Sequence, residues 1–447
     1  MAKNIVEKAP FIFNFNNTEL LDFKYLQKYK EIDSKGRYLY WSEFKWRVKD
    51  GDDEKKAWFA TKWARSNILK SISLKDKFGN AFNYCVPDSL NAKLFKITNL
   101  AGQGIVPSDS IKSRFLISSL VIEEAISSSQ LEGASTTRKV AKEMLTLQKK
   151  PKTEDEEMII NNYLLMKEIK RVKSQELSID MILNFHKIAT RGNNSNGNIA
   201  GEFRVSDDII ISDGLDDNIL HQPPSYKDIA KRLQKLCDFA NSDHTGEDGA
   251  NFIHPVIKAI ILHFAIGYEH PFADGNGRTA RAIFYWYMLK SGFDYFEYIS
   301  ISKLLKEAPK QYGLSYLYSE IDDNDLTYFI YYQVDIILRA IDELLAYLQK
   351  KSIEFEEIEE LLKNSFLKNR FNFQQKDILK KAIKSPGKVF TANEIAIEYD
   401  ISANSARKYL NELVKYKLLI AGKDGRLITY IASNNLREKL YLAKDVN

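Results

Sequence analysis

The sequence of 447 residues lacks the features that mark several classes of protein. Its two cysteines, Cys85 and Cys237, are too few for a disulfide framework, which fits a reducing cytoplasm. Ten prolines and twenty glycines are too few for a collagenous or disordered chain. The longest uncharged apolar stretch runs from Ala259 to Tyr268, far short of the roughly 20 residues that a membrane-spanning helix needs. We therefore expect a cytoplasmic, multidomain protein that contacts no membrane.

Charge is spread unevenly along the chain. The formal net charge is +5, but residues 371–447 contain 14 Lys and Arg against 8 Asp and Glu, so residues 1–370 carry a net charge of −1. Because the rest of the chain is nearly neutral, the basic segment 371–447 is where contact with nucleic acid should be sought. A solvated basic surface has the same composition, so both interpretations stay open.

Helical periodicity dominates the chain from about residue 108 to about residue 350. The residues from Ser108 to Ser110 are N-cap types and Gly133 stands where a helix stop is expected, so a helix is predicted over 110–133. Further helices are predicted at 155–173, 180–190, 226–241, 252–268, 278–291, 300–307 and 327–349. One interruption, from Phe203 to Gly214, alternates in polarity and ends in turn residues, as a β-hairpin does. The pattern predicts a mainly α fold with one β-hairpin.

Four segments follow from these patterns. Residues 1–106 are an accessory region of unknown role, in which the aromatic stretch 38–48 is β-prone, and residues 107–350 are the helical core. Residues 351–370 are predicted as an acidic linker helix. The pattern of residues 371–447 predicts three helices, a strand, an Asp-Gly turn and a second strand, an order that resembles a winged helix-turn-helix domain. Such domains bind DNA through basic side chains or only mediate protein contacts, and both uses remain open.

One segment, HPFADGNGRTAR (His270 to Arg281), brings together residue types that serve phosphate chemistry. Its glycines precede a predicted helix, so backbone N–H groups stay free and an anion can approach the positive end of that helix. Arg278 and Arg281 share one face of the first turn, which suits a polyphosphate. Asp274 is a carboxylate of the type that holds Mg²⁺ on phosphates, and His270 can take a proton from a hydroxyl near neutral pH. Together they predict nucleotidyl or phosphoryl transfer; an ordinary turn with solvated arginines is the alternative.

This segment resembles the central motif of the Fic family, His-Pro-Phe-x-(Asp/Glu)-Gly-Asn-Gly-Arg-x-x-Arg, at every defined position. The resemblance extends over roughly 108–350 and includes His186 within LNFHKIATRG, the AGEFR stretch (Ala200 to Arg204) and the hairpin. It implies the all-α Fic fold, with the hairpin as a flap that covers the nucleotide and aligns a target as an added strand. Fic proteins mostly transfer AMP from ATP to a Ser, Thr or Tyr hydroxyl of a target protein, so ATP and Mg²⁺ are implied.

The resemblance also implies roles at the matching positions. His270 is the implied general base on the target hydroxyl, Asp274 the implied Mg²⁺ ligand, and Phe272 a core residue. The implied nucleotide contacts come from the anion hole, the two arginines, the flap and a tyrosine beside the adenine: Gly275, Asn276, Gly277, Arg278, Arg281, Ile210, Ile211 and Tyr312. Relatives that transfer phosphate have a lysine in place of Gly277, so the glycine favours AMP transfer.

The stretch SSQLEG (Ser128 to Gly133) resembles the family's inhibitory motif, (Ser/Thr)-x-x-x-Glu-(Gly/Asn), placed before the core. The resemblance implies that Glu132 pairs with Arg281, the side chain that grips the γ-phosphate, and that Ser128 orients this contact. ATP then binds with its α-phosphate misaligned for attack. The sequence thus predicts an autoinhibited protein adenylyltransferase.

Two alternatives remain at this point. The first is removal of AMP from a modified protein, with Glu132 positioning a water molecule. The second is a DNA-binding regulator in which the site only senses nucleotide; the intact His270 argues against it, because a sensor needs no base. The target protein stays unknown, and a homodimer is an expectation that rests on similar proteins alone.

Overall fold

A computed structural model gives the fold of the chain. The structure describes residues 6–440 except 12, 15–16, 103–121, 147–148, 193–198, 213–218, 248–250, 364–369, 385–386, 400, 425–426, 434–435 and 437–438. The fold is mainly α, as predicted. None of the helices in these described ranges is both long enough and apolar enough to cross a lipid bilayer.

Loops join the helices and the short strands along the chain. The helices are α1 (Phe23–Lys28), α2 (Trp41–Phe44), α3 (Glu54–Ser66), α4 (Asp88–Gly102), α5 (122–131), α6 (Arg138–Thr146), α7 (Glu154–Arg171), α8 (Ile179–Ala189), α9 (Ile229–Asn241), α10 (Pro255–Glu269), α11 (Asn276–Lys290), α12 (Ile301–Glu307), α13 (Pro309–Ile321), α14 (Thr327–Lys363), α15 (Phe373–Lys384), α16 (Ala392–Tyr399) and α17 (Ala403–Lys415). The strands are β1 (Lys70–Lys75), β2 (Ala81–Tyr84), β3 (Ile211–Ser212), β4 (Ile219–His221), β5 (Val389–Thr391), β6 (Leu419–Asp424) and β7 (Leu427–Ala432). The described strands pair antiparallel, β1 with β2, β3 with β4, and β7 with both β5 and β6, and an isolated parallel bridge joins Asn83 of β2 to Asp325.

The centre of the fold is the pair α10 and α11, which carry the two ends of the motif loop. Nearly every side chain of α10 is buried, because apolar residues occupy all of its faces. It begins at His254, whose ring accepts the Val256 N–H, and Pro255 follows where no N–H is needed. The helices α7, α8, α9 and α14 pack around this pair. The motif loop therefore joins two well-packed helices.

The N-terminal region packs into the same hydrophobic core as the helices that follow it. The stretch 38–48, which the sequence predicts as β-prone, contains no strand and is helical from 41 to 47. Helix α2 brings Trp41 and Phe44 against Trp58 of α3, with ring centroids 5.9 and 5.1 Å apart. This aromatic packing outweighs the β propensity of the stretch. The hairpin formed by β1 and β2 has no counterpart in the sequence prediction.

One helix crosses the predicted end of the core at residue 350. Helix α14 is continuous from Thr327 to Lys363, where the sequence predicts one helix over 327–349 and a separate linker helix over 351–370. Neither glycine nor proline interrupts it. The structure thus has one helix where two are predicted, and the domain boundaries themselves stay predictions.

Other boundaries differ in detail from the sequence predictions. The helix predicted over 110–133 is described from 122 to 131, and its predicted N-cap, Ser108 to Ser110, lies outside the described residues. The hairpin is present, but its return strand is β4, beyond the predicted range of Phe203 to Gly214. Residues 203–210 do not form a strand, because Arg204 and its neighbours bind loop backbone instead. Helix α6 lies in the segment between the helices predicted at 110–133 and 155–173, where no helix is predicted, and α13 also has no predicted counterpart.

The C-terminal segment forms its own hydrophobic cluster, separate from the main core. Its described elements are α15, β5, α16, α17, β6 and β7, in that order. The three helices and the β6–β7 hairpin agree with the predicted element order, and the short strand β5, which pairs with β7, was not predicted. The winged-helix interpretation of this segment stays a prediction.

Candidate active site

His270 ends α10 in an unusual backbone conformation. Its φ of 43° is left-handed, which is uncommon for a residue other than glycine. Its Nδ1 donates a hydrogen bond to Gly267 O at 3.2 Å, so Nε2 is the unprotonated nitrogen of the neutral ring. Nε2 binds no residue that the structure describes. The ring is thus oriented with a free acceptor nitrogen.

The surroundings of His270 favour its neutral form. Burial is the main cause and lowers the pKa of His270 from 6.5 to about 4. The hydrogen bond to the Gly267 carbonyl acts to raise this pKa, and so does the charge of Glu132. His221 and the positive charge of Arg204 lower it further. At pH 7 the His270 side chain is therefore unprotonated, which is the form that a general base needs.

Arg204 supports the backbone at His270. Its Nε donates to His270 O at 2.9 Å, and its backbone N–H donates to Pro271 O at 2.9 Å. The remaining donors of its guanidinium bind Ser206 O, Asp207 Oδ1 and Pro224 O. Because Arg204 is buried and its donors are bonded, it ties the start of the motif loop to the loop before the hairpin.

The glycines of the motif place three backbone N–H groups at the start of α11. Gly275 has a φ of 80°, and a Cβ there would lie 2.5 Å from Thr190 Cγ2. The N–H groups of Gly275, Asn276 and Gly277 bind no described residue, as expected for the first turn of a helix. The side chain of Asn276 instead holds the loop: its Oδ1 accepts the Phe272 N–H at 3.0 Å and its Nδ2 donates to Phe272 O at 2.8 Å. Unpaired N–H groups at the positive end of a helix suit an anion.

Arg278 is occupied by contacts within the protein. Its Nη1 donates to Ala189 O, at the end of α8, at 2.7 Å, and its Nη2 donates to Asp274 Oδ2 at 2.9 Å. The Arg278 side chain is 1% exposed and that of Asp274 is 32% exposed. The guanidinium thus fixes a carboxylate at the rim of the site, and a direct contact of Arg278 with phosphate stays a prediction.

Arg281, one turn further along α11, is held by the end of α5. Its Nη2 donates to Glu132 Oε1 at 2.8 Å, and its Nε and Nη2 both donate to Ser128 Oγ, at 3.1 and 2.9 Å. Burial disfavours the charged form of Arg281, but Glu132 and other neighbours raise its pKa above the ordinary value. The Glu132 carboxylate also lies directly beside Gly277, where a Cβ would collide with it. Glu132 therefore fills space next to the unpaired N–H groups and neutralises the arginine.

The helix that carries this contact packs outside the main core. Its apolar residues form a small cluster with α6 and α7: Ile122, Ala125, Ile126, Ala141, Met144, Leu145 and Ile159. Glu124 is 2% exposed and accepts hydrogen bonds from Ser300 Oγ at 2.7 Å and Ser302 Oγ at 2.5 Å, at the start of α12. Gly133, with a φ of 101°, turns the chain away after Glu132. A few polar contacts thus attach α5 to the site.

The hairpin lies over the end of α10. His221 anchors it: Nε2 binds Tyr268 O at 2.8 Å and Nδ1 binds Glu320 Oε2 at 2.7 Å. Ile211 of β3 pairs with His221 of β4, and the preceding Ile210 is 46% exposed. The predicted contacts of Ile210 and Ile211 with a nucleotide stay predictions.

Tyr312 lies on α13, on the Arg281 side of the site. Its hydroxyl is 2.9 Å from His263 Nε2, and burial raises its pKa while the Arg281 charge opposes that rise. Contact between Tyr312 and an adenine ring stays a prediction.

The donor set suits a metal that is held mainly by its substrate. Among the described residues there is no group of three or more His, Cys, Asp or Glu side chains placed to hold a metal ion. Asp274 is a single carboxylate, partly exposed and next to the unpaired N–H groups. Mg²⁺ commonly binds through one carboxylate together with phosphate oxygens and water, so Asp274 fits it.

Two buried side chains that shape the site had no role in the sequence predictions. Arg204 and His186 entered only as parts of the stretches that resemble the family. His186 is 0% exposed and its Nε2 is 2.9 Å from Asp274 O. The available signal was a polar side chain on the apolar face of a predicted helix, which is more often a satisfied core residue than a site residue. Phe272 is fully buried, as predicted.

Comparisons with known proteins agree with this arrangement. Residues 176–288 match the model of the Fic/DOC family. A protein adenylyltransferase Fic of Nematostella vectensis is 25% identical over 218 residues, which are 44% of this chain and 46% of that relative. A protein of the same name from Drosophila melanogaster is 34% identical over 73 residues, which are 16% of this chain and 14% of that relative. The alignments thus span less than half of the length of these curated relatives.

Two solved structures are also similar. A Fic family protein from Desulfovibrio desulfuricans G20 has a TM-score of 0.48 at 16% identity, over 77% of this chain and 95% of that chain. Fic-1 from C. elegans has a TM-score of 0.46 at 20% identity, over 58% of this chain and 73% of that chain. The present chain contains a Fic domain, and the motif loop lies within it. Together with the sequence relatives, that domain supports a Fic protein.

Proposed function

We propose that this protein is an autoinhibited adenylyltransferase that transfers AMP from ATP to a Ser, Thr or Tyr hydroxyl of a target protein. The observation that carries the proposal is the neutral, buried His270 beside three unpaired N–H groups and Arg281 at the start of one helix. The Fic domain and the relatives named protein adenylyltransferase support it.

The reaction follows from these positions. His270 Nε2 accepts the proton of the target hydroxyl as its oxygen attacks the α-phosphorus of ATP. The bond between the α-phosphorus and the bridging oxygen breaks, and pyrophosphate leaves. The N–H groups from Gly275 to Gly277 would bind phosphate oxygens, and Asp274 would hold Mg²⁺. Mg²⁺, when bound, neutralises charge on the phosphates. Unprotonated His270 and preorganised N–H donors are the two catalytic elements that the chain itself supplies.

The contact between Glu132 and Arg281 is the proposed inhibitory contact. Arg281 binds the terminal phosphate only when its guanidinium is free, and Glu132 and Ser128 now take up its Nε and Nη2 donors. The Glu132 carboxylate also lies beside Gly277, so a phosphate in the same place meets like charge. We therefore expect weak activity from the protein as isolated.

Auto-modification with α-labelled ATP and Mg²⁺ tests the proposal. We compare wild type, Glu132→Ala, Glu132→Ala with His270→Ala, and the matched control Glu123→Ala. Glu123 lies on the same helix but binds Arg138 and Ser127 instead of Arg281. Strong label in Glu132→Ala alone is the expected result.

The other outcomes separate the alternatives. Label from γ-labelled but not α-labelled ATP would show phosphate transfer. Loss of label from pre-modified protein, dependent on Glu132, would show removal of AMP. Nucleotide binding without label in any variant would reject the transferase and favour a sensor.

The C-terminal segment favours a second activity, binding to nucleic acid. Helix α17 buries Ala406, Leu410 and Leu413 and exposes the basic side chains of Arg407, Lys408 and Lys415. Exposed cations on one helix face suit phosphate contacts. In a gel shift with duplex DNA, we expect the full chain to bind at low salt. Arg407→Glu should weaken that binding, whereas the control Lys55→Glu on α3 should not.

A further inference from the structure

His186 lies between the two loops that build the site. It is on α8, is 0% exposed, and its ring stacks on Phe272 with centroids 3.7 Å apart and planes 5° apart. Phe272 is itself fixed from the other end of the loop by the Asn276 side chain. The His186 ring therefore has one face set by packing, so that its two nitrogens point in defined directions.

Each ring nitrogen of His186 binds the backbone of a different loop. Gly201 N–H donates to Nδ1 at 3.0 Å, so Nδ1 is an acceptor. The hydrogen is therefore on Nε2, which donates to Asp274 O at 2.9 Å. Gly201 is three residues before Arg204, which binds His270 O. One imidazole thus joins the loop that supports the base to the loop that carries the metal ligand.

Residues at the same end of α8 also pack closely against the turn before α11. A Cβ on Gly275 would lie 2.5 Å from Thr190 Cγ2 and 3.2 Å from His186 Cδ2. Arg278 binds Ala189 O at the end of α8 as well as Asp274. The carbonyl of Asp274 is held by His186 while its carboxylate is held by Arg278. One end of Asp274 is therefore held from α8, and the other end is held from α11 by an arginine that also binds the end of α8.

We infer that His186 is a positioning residue for the reaction, acting through its two backbone hydrogen bonds on Asp274 and on the loop that holds His270. Both ring nitrogens bind backbone atoms, so His186 would act through the groups that it holds and not by contact with substrate. Misplacing reacting groups by about 1 Å can cost about a hundredfold in rate, so the hydrogen bond to Asp274 O should affect the chemical step more than ATP binding. The kinetic part of this inference rests on the proposed function.

Two conservative variants separate the two hydrogen bonds. Gln extends an amide N–H₂ to the place of Nε2 and can keep the bond to Asp274 O, whereas Asn places its Oδ1 near Nδ1 and can keep the bond from Gly201. His186→Phe keeps the ring stack and loses both bonds. His254→Phe is the matched control, since His254 caps α10 outside the site and also loses hydrogen bonds.

The kinetic experiment uses the full chain with Glu132→Ala as the parent. We expect His186→Phe to lower kcat by at least about tenfold with the KM for ATP within about threefold. His186→Gln should recover most of the loss, His186→Asn less, and His254→Phe should stay close to the parent. A kcat within twofold of the parent for His186→Phe, an equal loss in His254→Phe, or no recovery in His186→Gln would overturn the inference.

Hydrogen exchange of the backbone tests the positioning whatever the reaction is. We expect faster exchange at residues 270–277 in His186→Phe than in His254→Phe, and near-parental exchange in His186→Gln. Equal exchange in all variants would overturn the inference. An inactive parent with the expected exchange pattern would reject the proposed function and keep the positioning role.

Discussion

Two sides of the site hold two arginines of the same helix in different ways. On one side, α8 lies in the main core and binds Arg278, whose other partner is Asp274. On the other side, α5 lies in a small cluster of its own and binds Arg281 through Ser128 and Glu132. The α8 side belongs to the main core, whereas most apolar side chains of α5 pack in the separate small cluster. If the contact between Glu132 and Arg281 is inhibitory, as proposed, we expect its release to disturb the main core less than a change on the α8 side.

The largest expected effect concerns stability and falls on the α8 side. Arg278→Ala removes the donor to Ala189 O, at the fully buried end of α8, and should lower the free energy of unfolding by about 3 kcal/mol. Arg281→Ala should cost about 1 kcal/mol, because its partners Ser128 and Glu132 lie at the end of α5, in a small cluster beside the main core, where water can reach them once the arginine is removed. Urea unfolding of both variants measures the difference. Equal losses would contradict the contrast between the two sides.

The next prediction separates the effect of the Glu132 charge from that of its shape in the proposed inhibitory contact. Glu132→Ala should raise auto-modification at least about tenfold, since it removes the charge-assisted hydrogen bond to Arg281. Glu132→Gln keeps a hydrogen-bond acceptor without the charge, so it should give an intermediate rate. Initial rates with α-labelled ATP measure both. A rate for Glu132→Gln equal to that of wild type would mean that filled space, not charge, restrains the site.

A smaller effect is expected from Ser128, the second partner of Arg281. Ser128→Ala removes an acceptor of two hydrogen bonds and should raise the rate about threefold to tenfold. Ser127→Ala is the matched control, because Ser127 binds Glu123 and not the arginine. The same initial-rate assay applies. A larger rise in Ser127→Ala would show that the fold of α5, and not this contact, sets the rate.

The smallest expected effect is that of pH on the released enzyme. The base must be neutral, and burial lowers the pKa of His270 to about 4, with Glu132 acting in the opposite direction. In Glu132→Ala the rate should therefore change less than about twofold between pH 8 and 5.5 and fall only as pH approaches the pKa from above. A fall of about tenfold between pH 7.5 and 5.5 would show that His270 titrates near its ordinary value and that burial does not protect it.

Sequence patterns predicted the structure best where the interactions are between residues close together in the chain. The motif from His270 to Arg281 lies on one loop and the first turns of one helix, so its spacing predicts free N–H groups before that helix and two arginines on one face. The ends of α7, α8 and α10 were predicted to within a few residues for the same reason, because caps and apolar periodicity act over a single turn.

Tertiary packing decided what local patterns do not contain. Residues 41–47 are helical because Trp41 and Phe44 pack on Trp58, and α14 continues past residue 350 because neither glycine nor proline interrupts it. The roles of Arg204 and His186 depend on backbone atoms 66 and 88 positions away, at His270 O and Asp274 O. The hydrophobic periodicity of a sequence does not indicate a hydrogen-bond partner that many residues away.

The sequence by itself determined that the chain is mainly helical and that one loop carries a base, a carboxylate, free N–H groups and two arginines. Only the tertiary structure decided how those groups are used: Arg278 is bound by the core, Arg281 by a peripheral helix, and His270 is neutral because it is buried. The physical reason is that a side chain's pKa and its free hydrogen-bonding capacity depend on which distant atoms fold against it.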